Sequence, residues 1–277
     1  MEIKKAHFYW GSDKKMPFLN FLSILTFRDL NPEWELILYT SEDSVIEPTW
    51  KTHEQRHIYD GKDYMSICQS LCDKVVKLNL EELGFSNNIH DVHKADILRL
   101  VLLCDTGGLW SDMDVIWVKP AKQIDIQGAD VTLVLSSVPT YGQRECHSSG
   151  VLYSSVGGNP FYLRVLEYIN KMLPLEGYQT VGPDLLNNIY PSIEYILKAF
   201  PGLKFINLPY EIFYPYTPDT CPEFFSTSGK KSVGGETFAV HWFNGHQENG
   251  RLACHITPDN VGQYEGSHFF KCIERFA

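Results

Sequence analysis

The 277-residue chain is short of positive charge. Its 24 lysines and arginines stand against 34 aspartates and glutamates, a formal net charge of −10 at pH 7. That balance argues against nucleic acid as a partner and against a polybasic membrane patch. Long apolar runs are also missing. No stretch approaches the roughly 20 apolar residues of a membrane span. The opening MEIKKAHFYW has lysines but no apolar run behind them. The expectation is a chain with no signal peptide and no transmembrane segment, cytoplasmic in character. Seven cysteines stand at 68, 72, 104, 146, 221, 254 and 272, an odd number without a C-x-x-C pair, so reduced thiols are expected. Cys68 and Cys72 are four apart, yet no histidine stands near them to complete a zinc site. No Gly-rich phosphate loop of the Walker type occurs, and there is no internal repeat.

What is present is an alternation of strand-like and helix-like segments. Hydrophobic residues make up 44% and charged residues 21%, enough for a soluble chain with a sizeable core. Strands are expected at KKAHFYWG, WELILYT, VTLVLSSV (131–138), GVLYSS (150–155), LKFINLP (203–209) and ETFAVHWF (236–243). Helices are expected at MPFLNFLSILTFRDL, DYMSICQSLCDKVV and DVHKADILRLVLLCDTGG, the last stopped by Gly107 and Gly108, and near 160–173 and 183–200. The stretch 41–60 is polar and irregular, and 209–235 reads as a long loop. The pattern predicts an α/β fold with a mostly parallel central sheet. No composition shift marks a boundary, so one domain over 1–277 is expected.

Within HKADILRLVLLCDTGGLWSDMDVIWVKP (93–120), Asp112 and Asp114 sit two apart in an apolar run. On a strand they would share a face, with Met113 opposite. Adjacent carboxylates repel unless a cation lies between them. Carboxylate oxygens suit Mg²⁺ or Mn²⁺. A D-x-D alone is common by chance and reads equally as a solvated strand end. The neighbours add to the case. Asp96 and Arg99, three apart, share a face of the preceding helix, with His93 near it. Val92, Ala95, Leu98, Val101 and Leu102 would be the core side. The pair could serve a site or simply satisfy each other.

The stretch ADILRLVLLCDTGGLWSDMD (95–114) resembles the DXD-containing sugar-binding glycosyltransferases, a family that includes initiating mannosyltransferases, α-1,4-galactosyltransferases and clostridial toxin glucosyltransferase domains. AHFYWG, VGPDLL (181–186), FYPY (213–216) and AVHW (239–242) resemble further landmarks, so the likeness spans residues 7–242. Two departures stand out: Trp110 and Ser111 precede Asp112, and HSSG (147–150) stands where the family carries asparagines. The resemblance implies a glycosyltransferase A (Rossmann-like) fold. It implies transfer of a hexose from a nucleotide diphosphate sugar, UDP favoured, to a glycan acceptor with retention. Asp112 and Asp114 would hold Mn²⁺ or Mg²⁺ on the diphosphate, and Asp96 and Arg99 would contact the sugar. Trp10, with Tyr9 beside it, would meet the base. Gly182 and Pro183 would line the substrate pocket. The lack of an apolar anchor favours a bacterial, phage or viral setting.

His241 is the candidate third metal ligand, with a buried, hydrogen-bonded histidine as the plain alternative and His246 as the fallback. Asp184 would face the sugar's reactive side as a catalytic group, or would cap a helix. Trp34, Trp50 and Trp117 read as core or surface aromatics. Two other readings remain: a Mg²⁺-dependent nucleotidyltransferase or phosphoryl-transfer enzyme, and a non-catalytic glycan-binding protein of the same fold.

Overall fold

The computed structural model of the chain describes residues 3–11, 14–41, 58–124, 128–137, 145–169, 171, 177–229, 231 and 233–276. Trp50 and most of the irregular 41–60 stretch lie outside the described residues. The first strand, β1 (Lys5–Gly11), alternates as a two-faced strand should. Ala6 and Phe8 enter one apolar cluster, with helix α1 (Phe18–Leu30), while Tyr9 enters a second. Strand β2 (Glu35–Ser41) repeats the division, with Leu36 and Leu38 on the α1 side and Ile37 and Tyr39 on the other. The sheet is thus covered on both faces, as parallel sheets require.

Helix α2 (Met65–Leu71) is shorter than expected, and its last predicted residues form strand β3 (Lys74–Leu78) instead. Val75 and Val76 are β-branched and pair with Leu38 and Tyr39 of β2, extending the sheet at its edge. Helix α3 (Asp91–Asp105) ends at the expected glycine pair. It is buried nearly all round: Lys94, Asp96 and Arg99 are as hidden as Leu98, while the expected core residues Val92, Ala95 and Leu102 are only half-buried. A single core stripe does not describe it, because other elements close over its polar side.

Strand β4 (Gly108–Ser111) pairs parallel to β1, and β5 (Val115–Trp117) leaves that sheet. The expected strand 131–138 is split into β6 (Val131–Leu133), in the main sheet, and β7 (Leu135–Ser137), which pairs antiparallel with β8 (Glu145–His147). Strand β9 (Val151–Ser154) lies antiparallel between β4 and β6. Helix α4 (Pro160–Ile169) packs on α3. The expected helix 183–200 is two helices, α5 (Pro183–Ile189) and α6 (Ile193–Ala199), because Pro191 cannot continue α5. Strand β10 (Phe205–Asn207) completes the main sheet beside β6.

The loop expected at 209–235 carries a short helix, α7 (Pro222–Phe225), and two fully buried rings, Tyr214 and Tyr216. Strand β11 (Ala239–His241) is shorter than ETFAVHWF predicted and runs antiparallel to β5. Helices α8 (Gln247–His255) and α9 (His268–Ile273) close the α1 side. The main sheet runs β10-β6-β9-β4-β1-β2-β3, parallel throughout except for β9. The expected α/β architecture with a mostly parallel sheet is present. Trp34 and Trp117 are core residues, Trp117 standing edge-on to Phe27 at 5.0 Å. The cysteines are free thiols. Among the described residues no helix is long and apolar enough to cross a membrane.

The α3–β4 turn fixes where β4 begins. Gly107 and Gly108 have φ of 67° and 103°, a region side chains rarely adopt. A Cβ on Gly108 would meet the Lys5 carbonyl at 2.7 Å and His7 Nε2 at 3.1 Å. His7 Nε2–H donates to Gly107 O at 2.9 Å, which leaves Nδ1 to accept from the Tyr39 hydroxyl at 3.2 Å. Burial pushes the His7 pKa down to about 4, and does the same to His147. Each is neutral when folded and free to protonate when unfolded. The stability they contribute is present above pH 6.5 and lost as pH falls toward 4. Denaturant midpoints should therefore fall across that window. His7→Gln, although weaker at pH 8, should show a shallower fall than the unaltered chain. An equal slope in both would remove His7 from the acid response.

Candidate active site

The two aspartates do not lie on a strand. β4 stops at Ser111, and Asp112-Met113-Asp114 form the turn that carries the chain from the main sheet to β5. The alternation expected of a strand is replaced by specific anchors. Asp112 N–H donates to Gly150 O at 2.8 Å, and the Met113 carbonyl accepts from Asn20 Nδ2 at 2.9 Å while the Met113 side chain is buried. The two carboxylates still converge, for a different reason. β11 brings His241 opposite Val115, and Nε2 lies 3.1 Å from Asp114 Oδ1 and 3.9 Å from Asp112 Oδ2.

Asp112 is oriented from behind. Trp110 Nε1–H donates to its Oδ1 at 2.7 Å, and Arg99 NH2 approaches the same oxygen at 3.3 Å. Arg99 is almost fully buried. It also pairs with Asp96 Oδ1 at 2.7 Å and donates through NH1 to Ser149 O at 2.6 Å. Its charge opposes burial, but Asp112 and Asp96 outweigh that and raise its pKa further. Asp96 moves the other way from an ordinary paired carboxylate. Burial, with Asp112 and Asp184 nearby, lifts it to about 7 despite Arg99. One guanidinium therefore serves two carboxylates, and Asp112 takes part of its charge.

Asp114 is held differently. Burial would raise it, but His241, the Asn244 N–H at 2.7 Å to Oδ2 and Arg99 bring it below the usual value. Burial would lower His241, but Asp114 and Asp112 lift it to about 9. The charged imidazole and the charged Asp114 therefore favour one another. Two carboxylates and one imidazole, with ligand atoms all within 4.8 Å of one another, are a donor set that fits Mn²⁺ or Mg²⁺.

The two aspartates open onto a cavity of about 640 Å³ that reaches past Arg99 to the carboxyl end of β1. Tyr9, Trp10, Gly11 and Lys14 line that far end. Trp10 is half-buried, with Nε1–H on the Lys14 carbonyl at 2.9 Å. Tyr9 OH and Lys14 Nζ both donate to Asp91, at 3.0 and 2.8 Å. Ligands of open α/β sheets bind at such strand ends. His246 does not reach the metal donors; it faces Asp219 at 3.6 Å.

Gly182 and Pro183 begin α5, and Asp184 lies in its first turn. The cap is Gly182, with no side-chain bond, so Asp184 is not an N-cap. Gly182 packs so closely on Asp96 that a Cβ would stand 3.0 Å from its Oδ1. Asp184 is near enough to raise the Asp96 pKa and is itself raised by burial.

The motifs did not single out Trp110, Ser149, Gly150, Tyr214 or Asn244 as parts of the site. Trp110 and HSSG stood out only as departures, although both act directly on Asp112 or Arg99. A Cβ on Gly150 would lie 2.8 Å from His241 Cδ2 and 3.2 Å from Asp112 Oδ2.

Residues 22–129 match the family described as a glycosyltransferase sugar-binding region containing a DXD motif. No curated protein matches the chain. Among solved structures it is similar to the PaToxG glycosyltransferase at 17% identity, covering 73% of this chain and 71% of that one with a TM-score of 0.47. It is similar to the galactosyltransferase LgtC in complex with donor and acceptor sugar analogues at 12% identity, covering 94% and 99% with a TM-score of 0.43. It is also similar to mouse xyloside xylosyltransferase 1 at 12% identity, covering 86% and 96% with a TM-score of 0.46. The aspartate turn, with Arg99 and Asp96 behind it, falls inside the matched segment. Residues 22–129 thus match the sugar-binding region of the DXD-containing glycosyltransferases, and Asp112-Met113-Asp114 is the D-x-D inside that match.

Proposed function

We propose that the chain, acting as one domain of the glycosyltransferase A type, moves a hexose from a nucleoside diphosphate sugar to a glycan acceptor with a divalent metal. The observation that carries this reading is the convergence of Asp112 and Asp114 with His241 beside a cavity that the two aspartates line at one end and Trp10 at the other. Mn²⁺ or Mg²⁺ held by those three residues would neutralise the charge that develops on the departing nucleoside diphosphate. Trp10 offers its indole face to the base, with Tyr9 beside it. Asp96 and Arg99, with Gly182 packed on Asp96 and Pro183 next to it in the chain, would form the sugar's pocket. Asp184, close enough to Asp96 to raise its pKa, would face the anomeric carbon. UDP as the nucleotide and retention of configuration follow the family resemblance. The anomer of the product, read by NMR, tests the stereochemistry.

Three measurements test the reading. Asp112→Asn and Asp114→Asn should each lower turnover by about 100-fold or more while the fold is kept, since even the partners behind a metal ligand are worth about 10–100-fold. EDTA should abolish transfer and Mn²⁺ restore it; activity indifferent to EDTA would sink the mechanism.

The second is a pH dependence of metal binding. In the metal-free protein the His241–Asp114 pair contributes stability that is present below pH 6.5 and lost as pH rises through about 9. Metal needs the neutral imidazole, so Mn²⁺ affinity should climb between pH 6.5 and 9, by at most about tenfold per unit for one displaced proton. A flat titration would remove His241 from the ligand set.

Third, Trp10→Ala should weaken binding of the free nucleoside diphosphate by about 1–3 kcal/mol, the usual worth of a base stacked on an aromatic ring. Calorimetry that finds equal affinity would exclude Trp10 as the base platform.

A further inference from the structure

His241 differs from an ordinary metal-ligating histidine in how it is held. Such a residue almost always donates its second ring N–H to a carboxylate, carbonyl or water, which fixes the ring's orientation. His241 Nδ1 is buried and has no hydrogen-bond partner among the described residues. On its far side the ring has no hydrogen bond to fix its orientation, so the Nε2–Asp114 contact at 3.1 Å has no polar support from behind. Packing supplies that support. The Phe243 ring stands edge-on to the imidazole, with centroids 4.4 Å apart and planes at 77°. Tyr214 lies on it at 5.3 Å and 51°, and is itself pinned by accepting the Val151 N–H at 3.2 Å. Gly150 contributes bare backbone where any side chain would strike the ring.

Phe243 reaches that position through a conformation it should avoid. Its φ of +55° makes it the one described non-glycine residue with positive φ. Phe and other bulky residues are rare there, and such strain persists where the surroundings hold it and concentrates at functional sites. Two consequences follow from the turn. The chain doubles back so that Asn244 N–H donates to Asp114 Oδ2, while Trp242 N–H donates to the Asp114 carbonyl. The Phe243 ring returns over His241, two residues before it. Glycine or asparagine would make the first consequence with less strain; only an aromatic ring makes the second.

We infer that Phe243 is a positioning residue for the metal site: its strained turn is kept because its ring, with Tyr214, holds His241 Nε2 toward Asp112 and Asp114 in place of the missing hydrogen bond. This rests on the metal-binding reading given above, and deepens it. Phe243 itself is not among the residues that line the cavity.

The test is Mn²⁺ binding by the full chain, followed by EPR of the free ion, without substrate or turnover. Phe243→Gly and Phe243→Asn both tolerate positive φ, so the Asn244 contact survives and the ring is lost. Each should raise the Mn²⁺ Kd by about tenfold or more, the effect of losing a group that orients a ligand. Phe243→Tyr, which keeps the ring, should bind as the unaltered chain does. In a His241→Ala background the same Phe243 changes should cost nothing further, because there is no imidazole left to hold. A merely structural role would weaken binding equally in both backgrounds, and that result overturns the inference. So does a Kd within twofold of the unaltered chain in Phe243→Gly and Phe243→Asn. If glycine prevents folding, asparagine and tyrosine still separate ring from turn. An unaltered chain that binds no Mn²⁺ overturns the metal reading itself, and this inference with it.

Discussion

Arg99 is the residue on which the site's geometry turns. Its guanidinium is buried among Asp96, Asp112 and the Ser149 carbonyl, and lies 5.3 Å from the Trp110 ring. A lone buried cation would be costly, and so would the two carboxylates. Together they are tolerable, and removing one member of such a set leaves charges stranded at a cost of roughly 3–5 kcal/mol. The arrangement also ties three parts of the chain together: α3, the turn after β4 and the loop before β9. The price of that economy is that Asp96 is only partly compensated, which is why its pKa climbs to about 7.

The carboxylate turn depends on that anchor and on the strand pairing around it. β4 runs in the middle of the main sheet, so its carboxyl end is rigid. The chain then leaves the sheet within three residues, and both aspartates are presented at its edge rather than along a strand. β11 pairs with β5 and brings His241 across to them. The three candidate donors therefore come from a turn between two sheets and from a strand of the second, and the main-chain bonds with Gly150, Trp242 and Asn244 hold the junction.

Much of this was legible in the sequence. The spacing of Asp96 and Arg99 put them on one face of the helix, Asp112 and Asp114 stood out as a pair of carboxylates, and the glycines after α3 marked the turn. Local residue types also foretold β1, β2, α1 and α3. Where reading failed, longer-range contacts had overridden local preference. Val75 and Val76 became a strand because β2 offers them a partner. The 131–138 run split because its two halves pair with different strands, and ETFAVHWF kept only the three residues that face β5. Polar residues of α3 were buried because charges from other segments satisfy them, which no periodicity can show.

By itself the sequence determined the alternation of elements, the α/β class and the chemistry available at D-x-D, since these follow from side-chain period, turn residues and charge. Only the tertiary structure decided that the aspartates sit in a turn, that Trp110 donates to one and Asn244 to the other, and that the His241 ring packs against Phe243 and Tyr214 with its Nδ1 unpaired among the described residues. Those contacts join residues from 2 to 130 positions apart. The physical reason is that orientation at a site is set by whichever groups the fold brings within hydrogen-bond or van der Waals reach, and a linear pattern carries only the residue types.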